Sequence, residues 1–261
     1  MTPAFTDIDL TVDGDRGELH LNRPEKLNAL RPETLRELAE AAAWLNTQPD
    51  LKVVLVAGRG RAFSAGADVG AFAARGGEDP GALRAAADAG RLMADALEHV
   101  AAVTIAKVHG HCVGGGLVHA AACDIRVAAE DTRFAIPEVD LGIPLAWGGI
   151  PRLVREIGPT LTKELVMTCR SFDAAEALEH RFLNRVVAVE ELDSTVEELA
   201  ATLAKKPKLA LLASKRHVNA VTEQMVGTAR SWSDADGLVA SLGDPEGRDS
   251  AARSLARMRG G

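Results

Sequence analysis

Residues 106–128 read AKVHGHCVGGGLVHAAACDIRVA and point to the fold. They begin within a β-branched run, pass through Gly114–Gly116 into a helical pattern, and end in a second β-rich run. Strand, glycine loop, helix and strand in this order are typical of α/β crossover units. Successive glycines let the backbone approach a ligand closely, and the following helix directs unpaired amides at it. The stretch predicts an α/β fold with an oxyanion site, although a crowded turn without a ligand has the same pattern.

The segments before this stretch repeat the pattern. Residues 7–22 predict two short strands, Pro32 begins an amphipathic helix, and KVVLVAG (52–58) predicts a buried strand that ends in FSAGAD (63–68). If the two buried strands are neighbours, one backbone amide from each loop can bind the same oxygen. Taken alone, FSAGAD is also typical of a turn before a helix capped by Ser64 or Asp68.

The C-terminal part has a different character. After residue 158 the β-rich runs fade, apart from RVVAV (185–189), and from residue 191 the pattern is almost entirely helical. We therefore predict a core domain over 1–190 and a helical region over 191–261. The Gly- and Ala-rich segment 73–90 predicts a loop that leads into a helix, with a surface excursion favoured over a flap above a ligand.

Composition excludes several classes of protein. Thirty basic against 37 acidic residues give a net charge of −7, which argues against nucleic acid as a partner. Three cysteines without a CxxC pair disfavour a disulfide framework, and His109, His111 and His119 lack metal-ligand spacing, so no metal is expected. The N-terminal segment lacks the features of a signal peptide, and no apolar run reaches 18 residues. A cytoplasmic protein without a membrane partner is predicted.

A third motif, FAIPEVDLGIPLAWGG (134–149), places two carboxylates among apolar residues. Burial would raise the pKa of Glu138 or Asp140 toward that of a useful acid or base. A solvated position is nevertheless the ordinary one for any single acid. Pro137, Gly142 and Pro144 predict a rigid loop in this segment.

Together, the motifs resemble the crotonase, or enoyl-CoA hydratase/isomerase, superfamily. The resemblance rests on LNRPEKLNAL (21–30), VVLVAGRGRAFSAGADV (53–69), 106–128 and 134–149, with a closing helix at 244–258, and it covers essentially the whole chain. It implies a crotonase-like spiral of ββα repeats with a helical C-terminal oligomerisation region. It also implies an acyl-CoA thioester as substrate, a homotrimer or homohexamer, and no cofactor beyond the coenzyme A of the substrate.

The resemblance also implies roles for individual residues. Backbone amides of Ala67 and Gly115 would hold the thioester oxygen, and Glu138 would be the catalytic base and acid. The backbone around Ala65 and Ala67 would hold the adenine, and Lys26 would meet the phosphates. The full implied substrate-binding set is Lys26, Ala65, Ala67, Asp68, Val69, Gly114, Gly115, Val118 and Trp147.

This chain departs from the family pattern at a decisive place. Hydratases of the family use two glutamates to activate water, and the first of these falls on Val118 here. A single base suits a double-bond shift from 3-enoyl-CoA to 2-enoyl-CoA, which needs no water. Asp140 is a secondary candidate acid, Gly70 replaces a lysine that some relatives direct at the nucleotide, and Trp147 is expected to narrow the acyl pocket.

Other functions stay open on the sequence alone. The alternatives within the family are hydration of 2-enoyl-CoA with an altered set of acids, and hydrolysis, decarboxylation or dehalogenation of an acyl-CoA with Asp140 or His119 acting. The alternative from another class is a non-catalytic acyl-CoA binder, in which the valine at 118 reflects lost turnover.

Overall fold

The structure is a computed structural model that describes residues 2–73 and 79–260. The strands are β1 (Ile8–Asp13), β2 (Arg16–Leu21), β3 (Val53–Gly58), β4 (Val103–Val108), β5 (His111–Val113), β6 (Ile125–Ala129), β7 (Arg133–Ala135), β8 (Phe172–Asp173) and β9 (Arg185–Val187). The helices are α1 (Pro32–Leu45), α2 (Val69–Ala73), α3 (Pro80–Glu98), α4 (Gly115–Ala121), α5 (Gly149–Thr168), α6 (Ala174–Glu179), α7 (Leu192–Ala204), α8 (Lys208–Met225), α9 (Asp234–Gly243) and α10 (Pro245–Gly260).

Most strands lie in a six-stranded sheet of order β1-β2-β3-β4-β6-β9. The β1–β2 pair is antiparallel, and every later pair is parallel. β3 is buried along its whole length, as its β-branched sequence predicts. It lies directly beside β4, with Val53 opposite Val103. The condition for the two glycine-containing loops to meet at one edge is therefore satisfied.

A second sheet of three very short strands, β5-β7-β8, lies beyond the first. It carries the chain from the end of β4 into the glycine triplet and from β6 into residues 134–149. β5 pairs with β7 in parallel, so the two segments that hold the candidate site residues run side by side. Strands of two or three residues leave no periodicity in the sequence, so the second sheet was not predicted.

The core extends to both faces of the large sheet. The main hydrophobic cluster contains side chains from α1, α3 and α4, and Pro32 begins α1 as predicted. On the opposite face, Leu192 and Val196 of α7 pack with Val53, Leu55 and Ile105. The first helix of the predicted C-terminal region thus completes the core of the sheet. No helix in the described ranges has an apolar run long enough to cross a bilayer.

The predicted loop and helix at 73–90 are described in part. Residues 74–78 lie outside the described residues. The helix begins at Pro80, is capped by the Asp79 side chain, which accepts a hydrogen bond from the Ala82 amide (3.1 Å), and extends to Glu98.

Candidate active site

The loop at 63–68 presents the amide of Ala67. The Leu30 amide donates to the Gly66 carbonyl (2.8 Å), and the Asp68 amide donates to the Leu30 carbonyl (2.9 Å). In a parallel bridge of this pattern, the amide of the residue between the two bonded neighbours points to the opposite side. The Ala67 amide is therefore directed away from Leu30.

The same loop is held against β5. The Ser64 amide donates to the His111 carbonyl, and the Val113 amide donates to the Ser64 carbonyl, both at 3.0 Å. Gly66 has a positive φ of 88°, and a methyl group built on it would lie 2.6 Å from the Val113 carbonyl oxygen and 3.4 Å from the Gly115 nitrogen. Only glycine fits this close approach. The two predicted loops thus lie against each other.

The glycine triplet begins α4. The Gly114 carbonyl accepts hydrogen bonds from the amides of Leu117 and Val118, while the Gly114 amide donates to the Ala135 carbonyl (2.9 Å). Gly115 is the first residue of the helix, so its amide has no acceptor within the helix, and it lies at the positive end of the helix dipole. The amides of Ala67 and Gly115 are thereby suited to bind one partially negative oxygen.

Glu138 follows β7 in a turn in which its carbonyl accepts from the amides of Leu141 and Ile143. Its carboxyl group lies over Gly114, since a methyl group on that glycine would be 3.5 Å from Oε2 and would overlap Oε1. Oε2 is buried and has no hydrogen-bond partner. Burial raises the pKa of Glu138 from 4.5 to about 7, and a backbone hydrogen bond opposes this rise only in part.

These groups converge on a cavity of about 260 Å³. Ala67 and Gly115 line it together with Val118, Glu138 and Trp147. Among the described residues on its surface, Glu138 is the only one with an ionisable side chain. The other lining residues are Val69, Leu83, Ala86, Ala87, Leu141, Ile143, Pro144, Leu145, Ala146, Leu238, Leu242 and Ala251. Over the described residues, the cavity is apolar except at the Glu138 carboxyl group, the Trp147 indole N–H and the backbone amides.

Four of the predicted binding residues, Lys26, Ala65, Asp68 and Gly114, are not among the residues that line the cavity. The Asp68 carboxylate accepts hydrogen bonds from the Arg23 guanidinium and the Ala71 amide, each at 3.2 Å, so it caps α2. Lys26 is exposed, and the Ala65 amide donates to the Leu27 carbonyl (2.8 Å). The turn that contains Lys26 therefore lies beside the 63–68 loop. The predicted contact of Lys26 with the phosphates stays a prediction.

The secondary candidate is placed elsewhere. Asp140 is exposed and does not line the cavity, and its carbonyl accepts hydrogen bonds from the hydroxyls of Ser250 (3.0 Å) and Ser254 (2.9 Å) of α10. The expectation that Asp140 provides a second acid is therefore wrong for this cavity. The chain turns tightly between Glu138 and Asp140, so the two side chains do not share a direction.

The three histidines are also separated. His119 is completely buried and stacks on Phe63 with ring centroids 5.6 Å apart, and burial lowers its pKa to about 4. His111 is exposed on β5. Within the described residues, no three potential ligands come together to hold a metal ion. His119 contributes to the packing of α4 and does not line the cavity.

The sequence did not identify several residues that line or support the cavity, because they lie far along the chain from its motifs. Leu238 and Leu242 of α9 line it, and their spacing of four indicates one helical face without indicating what that face covers. Gly90 of α3 and Arg152 of α5 contact the Trp147 segment. No local pattern distinguishes these two residues from an ordinary helix glycine and a surface arginine.

Comparison with known proteins places this arrangement among related chains. A family model described as enoyl-CoA hydratase/isomerase matches residues 17–242. Crotonyl-CoA hydratase of Syntrophomonas wolfei subsp. wolfei is 34% identical over 90% of each chain. The peroxisomal Delta(3,5)-Delta(2,4)-dienoyl-CoA isomerase of Arabidopsis thaliana is 32% identical over 86% of each chain. A solved enoyl-CoA hydratase/isomerase from Xanthobacter autotrophicus Py2 matches with a TM-score of 0.87 and 28% identity over 97% of each chain. These matches confirm the predicted spiral α/β fold.

Proposed function

The chain belongs to the enoyl-CoA hydratase/isomerase family of acyl-CoA enzymes, and from this premise we propose that it shifts the double bond of a 3-enoyl-CoA to give a 2-enoyl-CoA. The observation that carries the proposal is the isolation of Glu138. Among the described residues lining the cavity, no other side chain can accept or donate a proton by ionising. Chemistry that needs one base is therefore favoured over chemistry that needs two.

The proposed mechanism uses two groups of residues. The amides of Ala67 and Gly115 donate to the thioester oxygen, which makes the C2 protons more acidic and stabilises the dienolate that forms when one is removed. Glu138 removes the C2 proton and returns it to C4, while the double bond moves from C3–C4 to C2–C3. A pKa of about 7 suits a group that must accept and then release the same proton.

The valine at 118 argues against efficient hydration. Val118 is buried, lines the cavity and offers no hydrogen bond to a water molecule. An added water would have only the Glu138 carboxyl group to orient and activate it. The names of the relatives include both a hydratase and an isomerase, so the relatives alone support either reaction.

The reaction assignment is tested with 3-enoyl-CoA and 2-enoyl-CoA as substrates. We expect Glu138→Gln to lower isomerase kcat about 10²- to 10⁴-fold, which is the usual contribution of a general base. Asp140→Asn is the matched control, and we expect it to retain wild-type activity because this carboxylate lies outside the cavity. Full activity of Glu138→Gln, or a wild type that hydrates 2-enoyl-CoA faster than it isomerises 3-enoyl-CoA, would contradict the proposal.

Transfer of an isotopic label distinguishes a mechanism with one base from a mechanism with two bases. A 3-enoyl-CoA deuterated at C2 is expected to carry part of its label to C4 in the product, because the same carboxyl group holds the deuteron between the two steps. Complete loss of the label to solvent at early turnover would count against a single carrier.

We also propose that the C-terminal helices mediate a homotrimer or homohexamer, as expected from the family. Support comes from α8, which buries none of its residues within the chain and exposes Val218, Val221 and Met225, which helical spacing places on one face. Monomeric proteins rarely leave such a row of large apolar side chains in water. The cytoplasmic location stays a prediction.

A further inference from the structure

The wall of the cavity formed by Trp147 is built in an unusual way. Trp147 has a positive φ of 61°, a backbone conformation that is uncommon for a bulky residue. The residue is buried and lines the cavity. A strained, buried aromatic residue at a ligand cavity indicates that surrounding contacts determine its position.

Two glycines from different helices make room for the indole. A methyl group built on Gly115 of α4 would lie 2.9 Å from Cε3 and 3.0 Å from Cη2 of Trp147. A methyl group on Gly90 of α3 would overlap the atoms where the two rings are fused. The indole thus fits between the backbones of α3 and α4, where no larger residue at 90 or 115 would leave space for it.

The backbone of this turn is fixed by buried charges. Arg152, which is completely buried, donates to the carbonyls of Trp147 (3.4 Å) and Gly148 (3.2 Å). Its guanidinium is paired with Asp95 at 2.9 Å and Glu98 at 2.5 Å. From the other side, the Gly148 amide donates to the Asp234 carboxylate (2.9 Å). The indole is accordingly a fixed wall and not a swinging side chain.

The remaining space limits the size of a ligand. The cavity of about 260 Å³ is bounded on one side by the fixed indole of Trp147, which takes up room that an acyl chain would otherwise occupy. Apart from Glu138 and Trp147, the described side chains on its surface are hydrocarbon and have no group that could pair with a hydroxyl or carboxylate on the acyl chain. Buried polar groups without partners are strongly disfavoured.

From these observations we propose that the acyl substrate is a short, plain hydrocarbon chain, and that Trp147 is a residue that limits its length. The proposal rests on the proposed function, since it assumes that the cavity receives the acyl group of a coenzyme A thioester. It identifies a substrate class for the site and a residue that determines specificity.

Binding of saturated acyl-CoAs tests the proposal without requiring turnover. We would measure Kd by calorimetry for butanoyl-, hexanoyl-, octanoyl-, dodecanoyl- and hexadecanoyl-CoA, and for adipoyl-CoA as the carboxylated counterpart of hexanoyl-CoA. The wild type is expected to bind butanoyl- and hexanoyl-CoA at least about tenfold more tightly than hexadecanoyl-CoA and adipoyl-CoA. Equal affinity for hexanoyl- and hexadecanoyl-CoA would overturn the proposal.

Substitutions test whether Trp147 determines the preferred length of the acyl chain. Trp147→Leu is expected to move the preferred length upward by two or more carbons, whereas Ala87→Leu, which fills the same cavity from α3, is expected to move it downward. Trp232→Leu is the matched control, because Trp232 is 61% exposed and does not line the cavity. If Trp147→Leu proves too unstable to assay, the shift with Ala87→Leu decides. An unchanged length profile in the variants that fold would overturn the role of this cavity wall.

The outcomes also separate this inference from the proposed function. A preference for short, unsubstituted acyl chains together with no turnover of any enoyl-CoA would leave the inference standing and overturn the isomerase proposal. Failure of the wild type to bind any acyl-CoA would overturn both.

Discussion

At the scale of single residues, Glu138 combines two properties that oppose each other. The Oε2 atom of its carboxyl group is buried without a hydrogen-bond partner, which destabilises the ionised form of the folded protein. The same burial gives it a pKa of about 7, at which it can exchange a proton near neutrality. Stability is therefore lowered at the position on which the proposed catalysis depends.

This opposition predicts a pH-dependent gain in stability for Glu138→Gln. Because the folded-state pKa is raised from 4.5 to about 7, the folded state binds the proton more tightly, and stability falls as the pH rises from about 4.5 through 7. The glutamine does not ionise. Urea unfolding should give similar free energies for the two proteins at pH 4.5 and an advantage for the variant of up to about 3 kcal/mol at pH 8. An advantage that does not change with pH would contradict the raised pKa.

The catalytic pH profile follows from the same group. We expect kcat/KM for 3-enoyl-CoA to fall about tenfold per pH unit below pH 7, since the free enzyme must hold Glu138 as carboxylate. Above pH 7 the rate should level off. A profile that falls only below pH 5 would indicate that Glu138 is not buried as the structure has it.

The sequence identified Glu138 but could not separate it from Asp140. Both are acids in the same apolar segment, and only the turn after β7 determines that one faces the cavity and the other faces solvent. That turn depends on hydrogen bonds between Leu141 and the carbonyls of Pro137 and Glu138, which leave no periodic pattern. The backbone donors were easier to place, because glycine at 66 and 114–116 is required by close approach.

At the scale of elements, buried charges join α3 and α5. Arg152 contacts Asp95 and Glu98 of α3 and also the carbonyls of the turn at 147–148. The long elements that it joins were predictable, because α1 and β3 have clear helical and β-branched patterns. The acidic partners of Arg152 were not predictable, since they are 54 or more residues away in the chain.

Removing the charged side chain of Arg152 should destabilise the folded protein. We expect Arg152→Ala to lower the free energy of unfolding by about 1.5–3 kcal/mol, because Asp95 and Glu98 would lose their buried partner and keep only Arg91 and Arg155. Arg155→Ala is the control. It removes a less buried arginine that contacts Glu98 but not Asp95, so its loss should be smaller in urea unfolding. Equal losses in the two variants would mean that the bridge to the turn contributes nothing.

At the scale of the whole molecule, α7 and α8 behave differently. α7 completes the core, whereas α8 has no buried residue and is held by polar contacts such as Lys215 to Asp124 (2.6 Å). The sequence predicted both as parts of one helical region. Helical periodicity alone could not tell which helix would pack within the chain, because both have amphipathic patterns.

The uncovered face predicts an effect on assembly. Light scattering should give a mass of at least three times the 27.5 kDa of one chain for the wild type. Val218→Glu combined with Met225→Glu should lower that mass, because these side chains are 64% and 75% exposed within one chain and would place charge in an apolar interface. A monomeric wild type would exclude the proposed oligomer.

The position of Trp147 gives the protein its own optical reporter. The chain has three tryptophans and no tyrosine, so its ultraviolet fluorescence comes almost entirely from residues 44, 147 and 232. Of these, only the indole at 147 borders the cavity. Occupancy of the cavity should therefore alter the intensity or wavelength of emission, and the change should vanish in Trp147→Leu. A titration followed by tryptophan fluorescence would then report binding in the cavity without an added label.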